Sequence, residues 1–139
     1  MMMKRAFLVG AAAAVLLAIR PLSAHHSFAA EFDSAKPVTL RGTLTSMEFT
    51  NPHGWIHLDV KDPDGTIVHW SVETNNTNAL VRAGLRKTDF VPGAEIVVQG
   101  FQAKNGRPIA NGRDIKFADG RNFFLGSSGT GAPESAPKP

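Results

Sequence analysis

Histidine is the side chain of this sequence best suited to chemistry, and two of the five histidines are adjacent, His25 and His26. They follow the basic pair Lys4-Arg5, an apolar run over residues 6–19 and a small-residue stretch that ends at Ala24. This order is typical of a secretory signal that is removed. An apolar run of 14 residues is shorter than the roughly 20 that a membrane-spanning helix needs. We therefore expect cleavage after Ala24 and a mature chain that begins with the free amine of His25.

A terminal amine and the imidazole of the same residue can close a chelate ring on a metal ion. Nitrogen-rich sites favour Cu(II) over the other common divalent metals, and the arrangement resembles that of histidine-brace copper proteins. His53, in the turn Asn51-Pro52-His53-Gly54, is the candidate third ligand. The sequence thus predicts a copper site of His25, His26 and His53. The alternative is a flexible terminus with two solvated histidines and a turn histidine that caps backbone groups.

Composition excludes several classes of protein. Of 15 basic residues, three (Lys4, Arg5 and Arg20) leave with the signal, whereas all 12 acidic residues stay, so the mature chain carries 12 of each. A net charge of zero removes the electrostatic basis for nucleic-acid binding. The sequence has no cysteine, which excludes thiolate metal sites, a thiol nucleophile and lipid attachment at a cysteine.

The first strand should be long and bent. Val38, Leu40 and Leu44 share one face, whereas Met47 and Phe49 have the opposite parity. A change of face within one strand predicts a β-bulge. The expected division of the chain is a signal peptide (1–24), a leader (25–36), one domain (37–125) and a disordered tail (126–139).

A hairpin carries most of the remaining candidates. The turn Asp62-Pro63-Asp64-Gly65 favours a tight reversal, and its register pairs Val60 with Val68, Leu58 with Trp70 and Ile56 with Val72. Because these apolar pairs share one face, that face should lie in the core. The outer face then carries the candidate ligand-binding residues Trp55, His57, Asp59, His69 and Glu73. The alternative for Asp59 and His69 is an ordinary cross-strand charge pair.

The domain as a whole is expected to contain three strands, then a short helix near 78–83, then two or three further strands. Asn76-Thr77-Asn78 can cap this helix, which Gly84 should end, and Leu80 and Val81 should be buried. This order predicts an all-β fold with one short helix, an OB-fold-like Greek-key barrel of five to six strands. A small β-sandwich is the alternative.

Two resemblances agree with this fold. The segments 42–44, 55–60, 65–67, 70–73 and 92–100 are similar to secreted bacterial OB-fold stress proteins. The chain also resembles an uncharacterised family of small exported bacterial proteins, known only as a domain of unknown function. That resemblance rests on the segments 25–33, Asn51-Pro52-His53, 78–84 and 110–113, and it implies no activity.

The functional prediction is a soluble periplasmic binding module without enzymatic activity, whose partner is an unknown small ligand or a periplasmic protein. We expect no nucleic-acid binding and no membrane insertion after cleavage. The sequence has no Gly-x-Ser-x-Gly elbow and no phosphate-binding loop. Copper is the only cofactor predicted, and copper binding or delivery is the alternative function. A third alternative is an oxygen-activating copper enzyme.

Overall fold

The computed structural model describes residues 28–126, and the predicted cleavage site, His25, His26 and the segment 127–139 lie outside the described residues. The elements in chain order are α1 (Phe28–Glu31), β1 (Phe32–Glu48), β2 (Trp55–Lys61), β3 (Ile67–Glu73), α2 (Thr77–Arg82), a 3₁₀ turn (Lys87–Asp89), β4 (Glu95–Ala103), β5 (Ile109–Phe117) and β6 (Asn122–Phe124). Among residues 28–126, no helix is long and apolar enough to cross a membrane.

The six strands form one sheet in the order β3-β2-β1-β4-β5-β6, and β3 also pairs with β5. The β3–β5 pairing is parallel and joins Ser71 to Ile109, Val72 to Ala110 and Glu73 to Asn111. Five strands therefore close into a ring in the order β1-β2-β3-β5-β4. The prediction of an all-β fold with a short helix is confirmed, and α2 lies between β3 and β4 as expected.

The β2–β3 hairpin has the predicted register. Its apolar pairs are Val60 with Val68, Leu58 with Trp70 and Ile56 with Val72. Gly65 in the turn has a positive φ of 89°, which glycine adopts without strain. Leu58 is buried, whereas Trp70 is only partly buried and packs against the margin of the core. The prediction that Trp70 is buried like Leu58 was therefore wrong.

Strand β1 bends where its sequence changes face. Its register against β2 shifts between Leu44 and Ser46, at the predicted bulge. A Cβ atom on Gly42 would collide with the backbone carbonyl of Asp59. The absence of a side chain there lets β1 and β2 approach closely while β1 curves around the ring.

Helix α2 covers one end of the main core. The Asn76 side chain accepts a hydrogen bond from the Ala79 N–H at 2.9 Å and caps the helix start. Leu80 is buried as predicted, but Val81 is 56% exposed, so its predicted burial was wrong. Only one side of this short helix faces the core. Val81 lies about 100° further around the helix axis than Leu80, so its side chain does not share that side. The main core consists of buried side chains from every strand of the ring and from the α2 region: Leu40, Leu44, Ile56, Leu58, Val72, Leu80, Leu85, Phe90, Ile96, Val98, Ala110, Ile115, Phe117 and Leu125.

A second, smaller apolar cluster lies apart from this core. Phe28, Phe32, Phe101 and Ala103 are its buried members, and Ile109 packs against them. The Phe28 ring lies 5.5 Å from the Phe101 ring, edge to face, a favourable aromatic geometry. The described part of the predicted leader therefore packs on the ring of strands, and β1 begins within it.

An arginine connects the 3₁₀ turn to the loop between β5 and β6. Arg121 donates hydrogen bonds to Asp89 and to Asp119, both at 2.8 Å. The side-chain bond from Arg121 lowers the pKa of Asp89. The Arg121 backbone N–H, which also donates to Asp119 at 2.9 Å, and then its side chain lower the pKa of Asp119. A carboxylate with a lowered folded-state pKa stabilises the fold above its unfolded pKa, and this contribution disappears as the pH falls through the folded pKa.

Replacing Asp89 by Asn tests this connection. At pH 7 we expect Asp89→Asn to lower the melting temperature by on the order of 4 °C. The difference from the unmodified protein should shrink as the pH falls below the ordinary aspartate value of 3.8, because both proteins then lack the charge. Thermal unfolding followed by circular dichroism measures it, with Glu95→Gln on β4 as the control. A difference that stays constant down to pH 2 would contradict the role of the ionised carboxylate.

Candidate functional site

Alternation along β2 and β3 places one set of polar and aromatic side chains on the outside of the ring. We call this set the histidine face: Trp55, His57, Asp59, His69, Ser71 and Glu73. The predicted outer pairs are confirmed, since Asp59 faces His69, His57 faces Ser71 and Trp55 faces Glu73. The sequence therefore located the face correctly, while its binding role stays a prediction.

His57 uses both of its ring nitrogens within the sheet. Its Nδ1 lies 3.0 Å from the Ser71 hydroxyl and its Nε2 lies 2.8 Å from a Glu48 carboxylate oxygen. A carboxylate only accepts hydrogen bonds, so Nε2 carries the proton of the neutral ring and Nδ1 accepts from Ser71. His57 consequently has no lone pair left for a metal ion. In this geometry His57 cannot join His69 in holding a metal ion.

His69 is anchored through one nitrogen only. Its Nδ1 lies 2.5 Å from Asp59 Oδ1, and its side chain is 81% exposed. Nδ1–H therefore donates to the carboxylate, and Nε2 is the lone-pair nitrogen of the neutral ring. An exposed pair of this kind contributes little to stability.

His53 lies beside the histidine face, in the turn before β2. Two backbone hydrogen bonds hold this turn against the end of β3, from Thr74 N–H to the Gly54 carbonyl at 2.9 Å and from Gly54 N–H to the Asn75 carbonyl at 3.2 Å. The His53 Nδ1 lies 3.2 Å from Glu73 Oε1 and 3.3 Å from the Thr74 carbonyl. Both neighbours are acceptors, so Nδ1 carries the proton and Nε2 keeps its lone pair.

A carboxylate that fixes one nitrogen of a histidine is the usual support of a metal-ligating imidazole. Among residues 28–126, however, no three histidine or carboxylate side chains are close enough together to hold a metal ion. His53 contacts Glu73 at the end of β3, whereas His69 lies four residues earlier in the same strand, a step of about 13 Å. A metal site that includes His53 therefore requires ligands from outside residues 28–126.

One row of side chains continues from the histidine face across the ring. Cα partners along this row are Phe101 with Asn111, Asn111 with Glu73, Glu73 with Trp55, and Trp55 with Glu48. Asn111 is 3% exposed although it points away from the main core. Its Oδ1 has no hydrogen-bond partner among the described residues.

Two residues of this row, Glu48 and Asn111, were not predicted from the sequence. The signal for Glu48 was present, because the bulge that turns Met47 inward turns Glu48 outward. No local pattern indicated Asn111. Its neighbours belong to β3 and β4, and they surround it only once the ring of strands is closed.

Comparison of the sequence with protein-family models finds a match, over residues 13–112, to a family of unknown function (DUF6152). The match covers more than half of the chain, and the protein belongs to this family. The uncharacterised family expected from the sequence is thereby confirmed. Comparison with curated proteins gave no significant match.

The ring tautomers can be measured directly. At a pH where the imidazoles are neutral, ¹⁵N NMR should show His57 protonated at Nε2, and His53 and His69 protonated at Nδ1, because the acceptors named above fix each proton. Asp59→Ala should release the preference of His69 and leave that of His57 unchanged. A predominantly Nε2-protonated His69 in the unmodified protein would contradict the assigned contact.

Proposed function

We propose that the protein is an exported binding module without enzymatic activity and that the histidine face is its ligand surface. The observation that carries this proposal is the gathering of Trp55, three imidazoles and three carboxylates on and beside one face of two adjacent strands. In OB-like folds the face of strands two and three commonly meets the ligand. Hydrogen bonds already orient these side chains, which lowers the entropy lost on binding.

The charge of the face favours a small cationic ligand. Glu48, Asp59 and Glu73 each contact an imidazole. When the imidazoles are neutral, the three carboxylates on and beside the face outnumber the one ammonium group on the outer side of these two strands, that of Lys61 at the end of β2. The half-buried Trp55 adds an indole ring, which attracts a cation through its π system. An organic cation with several N–H donors matches both features, and a periplasmic protein that presents lysine or arginine would use the same chemistry.

Export is part of the proposal. Its support is the basic pair, the apolar run and the small residues that end at Ala24, which are typical of a signal peptide. Mass spectrometry of the secreted protein would identify its first residue. The start expected is His25.

Titration with spermidine, a small polyamine, tests the ligand surface. Saturable chemical-shift changes should appear in the ¹H–¹⁵N spectrum for β2, β3 and the Trp55 indole, and added salt should weaken them. The double variant Glu48→Gln with Asp59→Asn should raise the Kd about tenfold, because two charges are lost. The double variant Glu95→Gln with Asp119→Asn, on β4 and the β5–β6 loop, also loses two charges and is the charge-matched control. Changes centred on β4 and β5, or no saturable change, would refute the histidine face as a cation surface.

Copper binding through His25, His26 and His53 is the second candidate function. The observation that favours it is the contact of His53 Nδ1 with Glu73 and Thr74. Both partners are acceptors, so the Nε2 lone pair of His53 is kept for a metal. A mature terminus at His25 would supply an amine and further imidazoles.

One additional residue before His25 is a sharp control for the copper candidate. It moves the free amine away from the His25 ring and breaks the chelate, so Cu(II) affinity should fall at least about tenfold, or 1.4 kcal/mol. His53→Ala should also weaken binding, whereas His69→Ala should not. Calorimetric titration measures all four proteins. Equal affinities would eliminate this site and leave the histidine face untouched.

A further inference from the structure

The first half of β3 forms an open edge of the sheet. β3 pairs with β2 over all seven of its residues, but it pairs with β5 only from Ser71 to Glu73. Among residues 28–126, no strand lies beside residues 67–70 on the side away from β2. No backbone hydrogen bond joins these residues to the described turn between β4 and β5. The ring is therefore closed along one half of β3 and open along the other.

The alternation of the strand identifies the backbone groups at this open edge. The Ser71 N–H points toward β5, where it donates to the Pro108 carbonyl at 3.1 Å. Successive residues of a strand direct their N–H and C=O groups to opposite sides. The backbone groups of Ile67 and His69 therefore point to the same side as those of Ser71, where no strand receives them. Two N–H donors and two carbonyl acceptors are available for pairing.

This edge lacks the features that usually prevent edge-to-edge pairing. Exposed edges commonly carry proline, charged side chains or a bulge, or they are very short. The strand β6, at one end of the strand order, has three residues. Residues 67–70 are instead Ile-Val-His-Trp, and their register against β2 has no bulge. Ile67 is 48% exposed, so an apolar side chain with high strand propensity lies on the open edge.

A second copy of the same edge fits it in an antiparallel register. With Val68 on a two-fold axis, Ile67 of each copy lies opposite His69 of the other. Each of these two pairs exchanges two backbone hydrogen bonds, as hydrogen-bonded pairs of an antiparallel ladder do. The register therefore uses every open N–H and carbonyl group of both copies.

Neighbouring two-fold registers conflict with bonds inside each copy. Moving the second strand by two residues brings either Gly65 or Ser71 into the pairing. The Gly65 N–H already closes the hairpin turn by donating to the Asp62 carbonyl at 2.9 Å, and the Ser71 N–H is bound to Pro108. The register centred on Val68 breaks neither bond, so a two-fold pairing has one preferred alignment.

The side chains of the edge are compatible with the same register. Val68 and its β2 partner Val60 are only half-buried, although they face the inner side of the sheet. The register places the Val68 residues of the two copies opposite each other, at about 4.5 Å between Cα atoms, and so forms an apolar row with both Val60 side chains. On the outer side, the exposed Ile67 of each copy lies beside His69 of the other.

We propose that two copies of this chain pair through β3, antiparallel and with Val68 on the two-fold axis. The pairing places the two histidine faces side by side on one continuous sheet. An edge of this length buries less than the roughly 1,200 Å² of a standard interface, so the dimer is weak and its population depends on concentration. The pairing requires neither copper nor the cationic ligand.

Sedimentation velocity of the protein that starts at His25, from about 10 μM to about 1 mM, measures the association. The weight-average mass should rise from that of a monomer toward that of a dimer. Ile67→Lys places a charge within the pairing and should keep the monomer mass throughout. Thr43→Lys is the matched control and should associate like the unmodified protein. It adds the same side chain at an exposed site of β1, a strand paired on both sides.

Amide hydrogen exchange identifies the edge and needs no variant. At the lowest concentration the N–H groups of Ile67 and His69 should exchange rapidly, whereas those of Val68 and Trp70, which face β2, should be protected. At the highest concentration exchange at Ile67 and His69 should slow by about threefold or more, because the dimer shields both. This measurement decides the proposal even if Ile67→Lys does not fold.

A constant monomer mass, or association without slower exchange at Ile67 and His69, would overturn the proposed pairing. Equal association of Ile67→Lys and Thr43→Lys would also overturn it. Spermidine binding by a protein that stays monomeric would reject the pairing and leave the proposed ligand surface standing. A dimer with the predicted exchange pattern but without a spermidine response would confirm the pairing and reject the cation surface alone.

Discussion

The short parallel pairing of β3 with β5 is the constraint on which the rest of the structure depends. Only three residue pairs form it, from Ser71–Ile109 to Glu73–Asn111. Without it β3 would be an open edge with unpaired backbone groups. With it the sheet closes, Val72 and Ala110 become fully buried, and the outer row of side chains runs without interruption from β4 to β1. The burial of Asn111 and the continuation of the outer row beyond Glu73 both follow from this closure.

Local features of the chain made the hairpin and the bulge predictable. A turn of fixed length and strict alternation leave a single register in which Ile56, Leu58 and Val60 all meet apolar partners. The same register places Asp59 opposite His69, so this outer pair follows from local sequence alone. The change of parity after Leu44 similarly locates the bulge, because β1 must turn a new set of side chains inward to follow the ring.

Features that depend on distant segments could not be predicted in this way. The burial of Phe28 and Phe32 requires β4, and the burial of Asn111 requires the ring to be closed. The sequence alone made residues 25–36 a leader, since nothing in their pattern reveals a partner about 70 residues away. For Trp70 and Val81 the sequence overestimated burial. Their apolar character suggested that both would be buried, but each lies at the margin of the core and is only partly covered by the described elements.

The chemistry of the site also comes from tertiary placement. Each described imidazole has a carboxylate neighbour, yet their second nitrogens differ: that of His57 accepts from the Ser71 hydroxyl, whereas those of His53 and His69 keep their lone pairs. The placement of these side chains depends on the closed ring of strands. The most direct test of that closure is a NOESY spectrum of the protein that starts at His25. Contacts between the backbones of Val72 and Ala110 and of Glu73 and Asn111 are expected. Their absence, with β3 amides exchanging as rapidly as an open edge, would contradict the closed ring and the surface built on it.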